Sequence, residues 1–210
     1  MNLLECLVGI ALCVLLLNPL LKTSSDLLAK QIAYEKSHFL GAEADRALEL
    51  IGRAIRMAGY KSYQHHHSTL KKNKIYPAIE IEKHGGFEGS DSITIRHELS
   101  DGVDFDCIGN ALTKERTQNH LAMQAFFVNR QADFRKVTGV YGGSLICQSL
   151  DRQGRKQNTT LMNGVHRLTI EELNPTNVQE QKAFRVRLEM ADGGARMKSF
   201  ERTFSTRNLP

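Results

Sequence analysis

A single carboxylate lies near the start of an otherwise apolar N-terminal segment. Glu5 is the only charged side chain between Met1 and Leu21. A carboxylate inside a membrane costs about 2.5–3.5 kcal/mol on insertion scales, so such a group usually serves a function and has a partner. The nearest candidate partner is an α-amino group, either that of Met1 or that of a neighbouring chain. This arrangement suits a subunit that waits in a membrane and then polymerises through its helix.

The four cysteines fall into two pairs. Cys6 and Cys13 lie seven residues apart on one face of the apolar segment, where they would pack as small hydrophobic side chains. Cys107 and Cys147 lie in the polar remainder. If that remainder is in an oxidising compartment, they should form a disulfide that closes a loop of about 40 residues. A zinc site is disfavoured, because neither has a second cysteine or histidine at ligand spacing.

The other residues that could do chemistry do not form a recognisable site. Asp101, Asp104 and Asp106 form an acidic cluster that could attract calcium, but their spacing does not match an EF-hand. A polar turn is the main interpretation and ion binding the alternative. Three consecutive histidines, His65–His67, point in different directions and indicate a solvated loop more than a metal site. The sequence has no nucleotide-binding, metalloprotease or hydrolase motif, so we expect no enzyme activity and no cofactor.

The composition favours one membrane span joined to one polar domain. Of 210 residues, 24% are charged and 41% hydrophobic, which is ordinary for a globular protein. Leu3–Leu21 would be about 28 Å long as a helix, close to the hydrocarbon thickness of a bilayer. A cleaved signal peptide is the alternative. Against it, no basic residue precedes the apolar run, and no small-residue cleavage site follows before Lys22.

The net charge of +5 leaves two interpretations open. The simpler one is a solvated basic surface, and the other is contact with nucleic acid. Basic residues are spread along the chain, and only Lys71, Lys72 and Lys74 form a small cluster, without accompanying aromatic residues.

Helical periodicity continues beyond the apolar segment. Pro19 predicts a kink or a break, after which Thr23–Asp26 offers N-cap side chains. An amphipathic stripe follows as far as Ala58, and Gly59 predicts the helix end. The predicted organisation has three parts: an apolar half of the helix, an amphipathic half and a globular head, at residues 1–22, 23–60 and 61–210.

From about residue 76 the hydrophobic period becomes two, which indicates β-strands. The alternating segments are, in chain order, 78–82, 90–97, 125–129, 143–147, 167–171, 184–190 and 198–206. Asp192-Gly-Gly predicts a hairpin turn before the last of them, whereas residues 107–122 and 148–164 look like loops. One N-terminal helix followed by six or seven strands predicts an α+β fold, with an antiparallel sheet packed on the second half of the helix.

The N-terminal pattern resembles the mature N-terminus of type IV pilins and of type II secretion pseudopilins. The shared features are Leu3-Leu4-Glu5 after a hydrophobic residue, followed by the apolar run. The resemblance implies a basic leader removed by prepilin peptidase and N-methylation of the new first residue, Met1, although phenylalanine is the commoner residue there. It also implies that Glu5 neutralises the N-terminal amine of the adjacent subunit during assembly.

Several strings in the rest of the chain are similar to minor pilins of the PilW type, which are close to the J-type pseudopilins. Their order along the chain is more specific than any one of them: Ile55–Tyr60, Gly89–Ile95, Asp106–Asn110, Leu145–Cys147 and Phe204–Asn208. The resemblance implies the pilin fold, with Cys107 and Cys147 as the disulfide.

The implied function is that of a minor pilin at or near the filament tip, which primes pilus assembly together with other minor pilins and the major pilin. The implied location is the bacterial inner membrane, with the head in the periplasm, and then the pilus at the cell surface, where a tip adhesin could be a further partner. The alternatives are a J-type pseudopilin of a type II secretion system and a DNA-uptake pilin that binds duplex DNA. An anchored periplasmic domain that never polymerises is the remaining interpretation.

Overall fold

A computed structural model describes residues 3–62, 76–100, 102–130, 142–173, 181–191 and 197–208. Within them one long helix precedes a run of strands. The helix α1 spans Leu3–Met57. The strands are β1 (Ile79–Glu82), β2 (Ser92–Glu98), β3 (Leu121–Arg130), β4 (Gly143–Leu150), β5 (Lys156–Leu173), β6 (Ala183–Ala191) and β7 (Met197–Ser205). Short 3₁₀ turns at Phe87–Gly89 and Lys114–Arg116 precede β2 and β3.

The described strands form a single curled sheet of seven strands in chain order, and every neighbouring pair is antiparallel. Chain-order pairing needs only local connections, which suits the short turns between the alternating segments. The α+β fold expected from the sequence is therefore confirmed. The predicted turn at Asp192-Gly-Gly lies outside the described residues.

The last turns of α1 supply the helical side of the core. Ala44, Leu48, Ile51 and Ile55 are fully buried and recur at helical spacing. Burying each of the larger three stabilises the head by about 1.5–3 kcal/mol. The expectation that the second half of the helix packs on the sheet is thus confirmed from Ala44 onward. By its contacts the chain divides into two compact units, Met1–Gly41 and Ala42–Pro210.

The helix runs through Pro19 without the break that the sequence suggested. The Thr23 hydroxyl donates to the carbonyl oxygens of Pro19 and Leu20, at 3.0 Å each, and the Ser25 hydroxyl donates to Lys22 O at 2.8 Å. Such side chains can bond back to the preceding turn as well as cap a new one. Here they do the former, and so the polar group after Pro19 does not begin a second helix.

α1 ends at Met57, shortly before Gly59, as the glycine predicted, and the chain that leaves the helix is tied to β2. Gly59 has φ +70°, a left-handed conformation that glycine adopts at little cost. Its N–H donates to Arg96 O at 3.0 Å, and Glu98 N–H donates to Tyr60 O at 2.9 Å. The Glu98 carboxylate then accepts the N–H of Ser62 at 2.8 Å. The chain leaving the helix is therefore held along β2.

The prediction of a loop over residues 148–164 is wrong. β4 continues to Leu150, a tight turn follows, and β5 begins at Lys156. The first half of β5 pairs with β4 and its second half pairs with β6, with the change near Gly164, whose φ is +76°. Most side chains in residues 156–163 are exposed. This polar half-strand therefore has no hydrophobic alternation to reveal it.

Candidate functional site: an exposed apolar helix and a braced loop

The first part of α1 presents apolar side chains that no other described residue covers. From residue 3 to residue 36 every side chain that the structure describes is exposed, with Leu3 at 80% and Leu15 at 70%. The most apolar window has a mean hydropathy of 2.0, and none of it is buried. This helix is long and apolar enough to span a membrane once. Cys6 and Cys13 are free and exposed on it, so neither packs within the chain.

The structure describes the two predicted assembly residues, Met1 and Glu5, only in part. Glu5 lies within α1, but its side chain is outside the described residues, and so is Met1. The pairing of the Glu5 carboxylate with an N-terminal amine therefore stays a prediction.

Exposed apolar side chains continue past the predicted span. Leu28, Ile32 and Phe39 are 57%, 65% and 62% exposed, and Leu27 and Tyr34 are exposed to a similar degree. Phe39 is 18 residues beyond Leu21, or about 27 Å along a helix. Exposed apolar side chains therefore extend over more of α1 than one bilayer would cover, and such surfaces mark contact with a membrane or with another protein.

Cys107 and Cys147 form a disulfide, with their Cα atoms 6.4 Å apart and a sequence separation of 40. Both residues are buried. The bond fastens the loop before β3 to the middle of β4. The Arg53 guanidinium of α1 holds the same loop, donating to Phe105 O at 3.3 Å and to Asp106 O at 3.1 Å. The loop is therefore braced from the sheet and from the helix.

Asp106 is the hydrogen-bond centre of this loop, and its side chain is fully buried. One carboxylate oxygen accepts the N–H groups of Ile108 and Asn110, at 3.0 and 2.8 Å. The other accepts from the Asn110 amide at 3.2 Å, from Arg116 at 3.2 Å and from the Ser149 hydroxyl at 3.4 Å. A buried carboxylate with this many donors is neutralised locally. Its role is to fix the loop.

Two residues of the acidic cluster, Asp104 and Asp106, lie in the part of the chain that the structure describes, and each carboxylate is engaged by protein donors. Asp104 accepts the N–H and the hydroxyl of Ser100, at 2.7 and 2.8 Å, while Asp106 is engaged as above. Asp101 lies outside the described residues, as do His65–His67 and the basic cluster at Lys71, Lys72 and Lys74. Among the residues that the structure describes, no three acidic, histidine or cysteine side chains are grouped as metal ligands.

Sequence reasoning missed a second buried carboxylate, Asp91, which lies just before β2. It accepts Ile170 N–H at 2.8 Å, His84 N–H at 3.1 Å and the Lys83 ammonium at 2.9 Å. Its backbone N–H donates to Leu168 O at 2.8 Å. β4 pairs only with the first half of β5. Along the second half of β5, Asp91 therefore bonds backbone groups that have no partner in β4, namely Ile170 N–H and Leu168 O. The string before β2 showed a turn, but nothing in it indicated this contact.

Burial raises the pKa of Asp91, but the hydrogen bond from Ile170 N–H, the Lys83 ammonium and the His84 N–H together outweigh it. The pKa of Asp91 therefore lies below its ordinary value of 3.8. The carboxylate is ionised at neutral pH and holds β2 to β5 in its charged form.

Comparisons with protein-family models, with curated proteins and with solved structures found no match for this chain. The resemblance to pilins therefore rests on the sequence pattern.

Proposed function

We propose that the protein is a minor pilin of the PilW type, anchored by α1 in the inner membrane and later incorporated at or near the tip of a type IV pilus. The observation that carries the proposal is the exposure of α1 over residues 3–36, where apolar side chains outnumber polar ones. A membrane covers about 20 residues of such a helix. Helices of other subunits would cover the remainder once the subunit leaves the bilayer.

Glu5 would set the position of each subunit in the filament. In a dry bundle of helices an unpaired carboxylate is unfavourable, and the N-terminal ammonium of a neighbour offsets that penalty. A subunit at the wrong stagger lacks this partner, so the pair selects one register. Prepilin peptidase would generate the amine at Met1, and methylation would retain its charge.

Replacing Glu5 tests this proposal. Glu5→Ala removes the pairing group and leaves the apolar span, so the variant should remain in the membrane at the wild-type level. Its recovery in sheared filaments should fall at least about tenfold. Asp26→Ala is the matched control, because it removes the next acidic residue of α1, five residues beyond Leu21. Equal recovery of Glu5→Ala and Asp26→Ala would contradict the assembly role.

A J-type pseudopilin of a type II secretion system is the alternative within the same class, and it uses the helix in the same way. Deleting the gene separates the two: loss of surface pili supports the minor pilin, whereas loss of protein secretion with pili intact supports the pseudopilin.

A DNA-uptake pilin is a second candidate function, and one observation favours it. Most described cations of the sheet are paired with acids, but Lys114, Arg152 and Lys156 have no partner among the described residues. They lie on two turns that meet where Gly154 approaches Thr117 O. Binding of duplex DNA through these three should weaken with salt with a log–log slope of about −3. Absence of binding at about 50 mM salt would remove this candidate.

A further inference from the structure

A groove of about 360 Å³ lies between the second part of α1 and the braced loop around Asp106. Its floor is apolar, with Leu50 from the helix, Ile108 from the loop and Met162 from β5. Leu50 and Ile108 are partly exposed, so each still has apolar surface that a ligand could cover. The volume is at the low end for small-molecule sites and equals that of about twelve waters in the liquid. The groove therefore suits a molecule of roughly ten non-hydrogen atoms.

Arg53 supplies this groove with a cation whose direction is set before any ligand binds. Its Nη2 atom donates to Phe105 O at 3.3 Å and to Asp106 O at 3.1 Å. Because the guanidinium is planar and rigid, these two bonds also restrict the directions of its other nitrogens. Nη1 and Nε donate to no described residue, and both carbonyl acceptors of Nη2 are neutral. Arg53 therefore offers unused donors and an uncompensated charge.

A second cation lies two turns earlier on the same face of α1. Arg46 is exposed and lines the groove, and it has no hydrogen bond or ion pair with any described residue. Among the lining residues, Glu43 is the acid that could balance the two arginines. Asp106 also lines the groove, but its carboxylate already accepts from Arg116 and from N–H groups of the loop. Two arginines thus face one glutamate, and the groove carries an excess positive charge.

We propose that this groove binds a small amphipathic acid, a free molecule with one carboxylate on an apolar body. The carboxylate pairs with Arg46 and Arg53, and the apolar body covers Leu50 and Ile108. Arginine suits this role, because its donors match the two oxygens of a carboxylate. A few placed polar groups around an apolar floor are also the usual composition of a small-molecule site. The inference depends on the groove alone and stands whether or not the chain assembles into a filament.

Both walls of the groove are fixed before the ligand binds, which favours a ligand that makes few contacts. The disulfide at Cys107 and the carboxylate of Asp106 hold the loop in place. The helical wall belongs to the part of α1 that packs on the sheet, where Leu48 and Ile51 are fully buried. A preformed site avoids the ordering of side chains and loops that weakens association.

A ligand titration tests the proposal with the full chain in detergent micelles. The probe is 3-phenylpropionate, and backbone amide NMR shifts of the labelled protein report its binding. Shifts should concentrate at Arg46, Leu50 and Ile108, with a Kd of about 1 mM. This localisation separates binding in the groove from uptake of the probe by the micelles. 3-Phenylpropionamide has the same size without the charge, and it should bind about tenfold more weakly.

Three variants separate the groove from general charge effects. Arg46→Gln should weaken binding of the acid about fivefold and leave binding of the amide unchanged. Ile108→Ala should weaken both ligands by the same factor, about threefold, because both lose part of the apolar floor. Arg152→Gln is the control, since it removes an exposed arginine from the β4–β5 turn, and it should change neither Kd.

Two kinds of result would overturn the proposal. The first is the absence of shifts in the groove up to about 20 mM acid, or equal affinities for the acid and the amide. The second is equal weakening of the acid by Arg46→Gln and by Arg152→Gln, because the attraction would then come from the net charge of the head and not from the groove.

Discussion

The two parts of α1 carry the same kinds of apolar side chain but differ in how far these side chains are buried. In Met1–Gly41, Leu15 and Leu16 are about two-thirds exposed, whereas in Ala42–Pro210, Leu48 and Ile51 are fully buried. Apolar side chains are removed from water only where another element faces them, and the sheet faces α1 from Ala44 onward. The buried segment of α1 therefore contributes to the core of the head, and we propose that the exposed segment serves association.

The largest expected effect is a loss of stability in the head that leaves the membrane anchoring of the helix unchanged. Cys147→Ser opens a 40-residue loop, which the chain-entropy model equates with about 4 kcal/mol of unfolding free energy. Retention in the membrane should not change. Cys13→Ser is the matched control, because that thiol is free and exposed. Thermal unfolding under oxidising conditions measures the stability of both variants. Equal midpoints for Cys147→Ser and wild type would contradict the role of the disulfide.

The next effect concerns the contact between β2 and β5. Asp91→Ala leaves the N–H groups of Ile170 and His84 and the Lys83 ammonium without their acceptor. We expect a loss of about 3 kcal/mol in the unfolding free energy of the head. Chemical denaturation measures this loss. Asp151→Ala removes a half-buried turn carboxylate that accepts hydrogen bonds from within its own turn, and it should cost less.

The same carboxylate makes the stability of the head depend on acid. The pKa of Asp91 is lower in the folded chain than in the unfolded chain. The contribution of Asp91 to the unfolding free energy is therefore complete above the pKa of the unfolded chain, about 3.9. It is lost as the pH falls through the lower pKa of the folded chain. Denaturation curves between about pH 5 and pH 2 should fall less steeply for Asp91→Asn than for wild type. Parallel curves would show that Asp91 does not titrate in this contact.

The smallest effect compares the two parts of α1 directly through their glycines. A Cβ on Gly52 would overlap the ring of Phe204, whereas a Cβ on Gly9 would meet nothing within 4 Å. Gly52→Ala should therefore destabilise the head by about 2 kcal/mol, although alanine is the better helix former by about 1 kcal/mol. Gly9→Ala should leave the unfolding midpoint of the head unchanged. A stabilised Gly52→Ala variant would show that Phe204 can move aside.

The sequence predicted those features that local patterns determine. The stripe through Leu48 and Ile55, the stop at Gly59 and most strands follow from periodicity and from backbone preference. The polar first half of β5 was not predicted, because its exposed side chains show no hydrophobic periodicity. The role of Asp91 was not predicted either, since its partner Ile170 is 79 residues away in sequence and only the folded sheet brings the two together. The continuous helix at Pro19 was not predicted, because a hydroxyl such as that of Thr23 can either cap a new helix or bond back to the preceding turn, as it does here.

We propose that the exposed part of α1 serves association with other subunits, and the native N-terminus of the protein is the decisive measurement. Surface filaments would be sheared from cells that produce the protein, and its N-terminal peptide identified by mass spectrometry. We expect the chain to be present in the filaments and to begin at a methylated Met1, with Glu5 four residues later. Recovery only from the membrane fraction, with an unmethylated or unprocessed N-terminus, would contradict it.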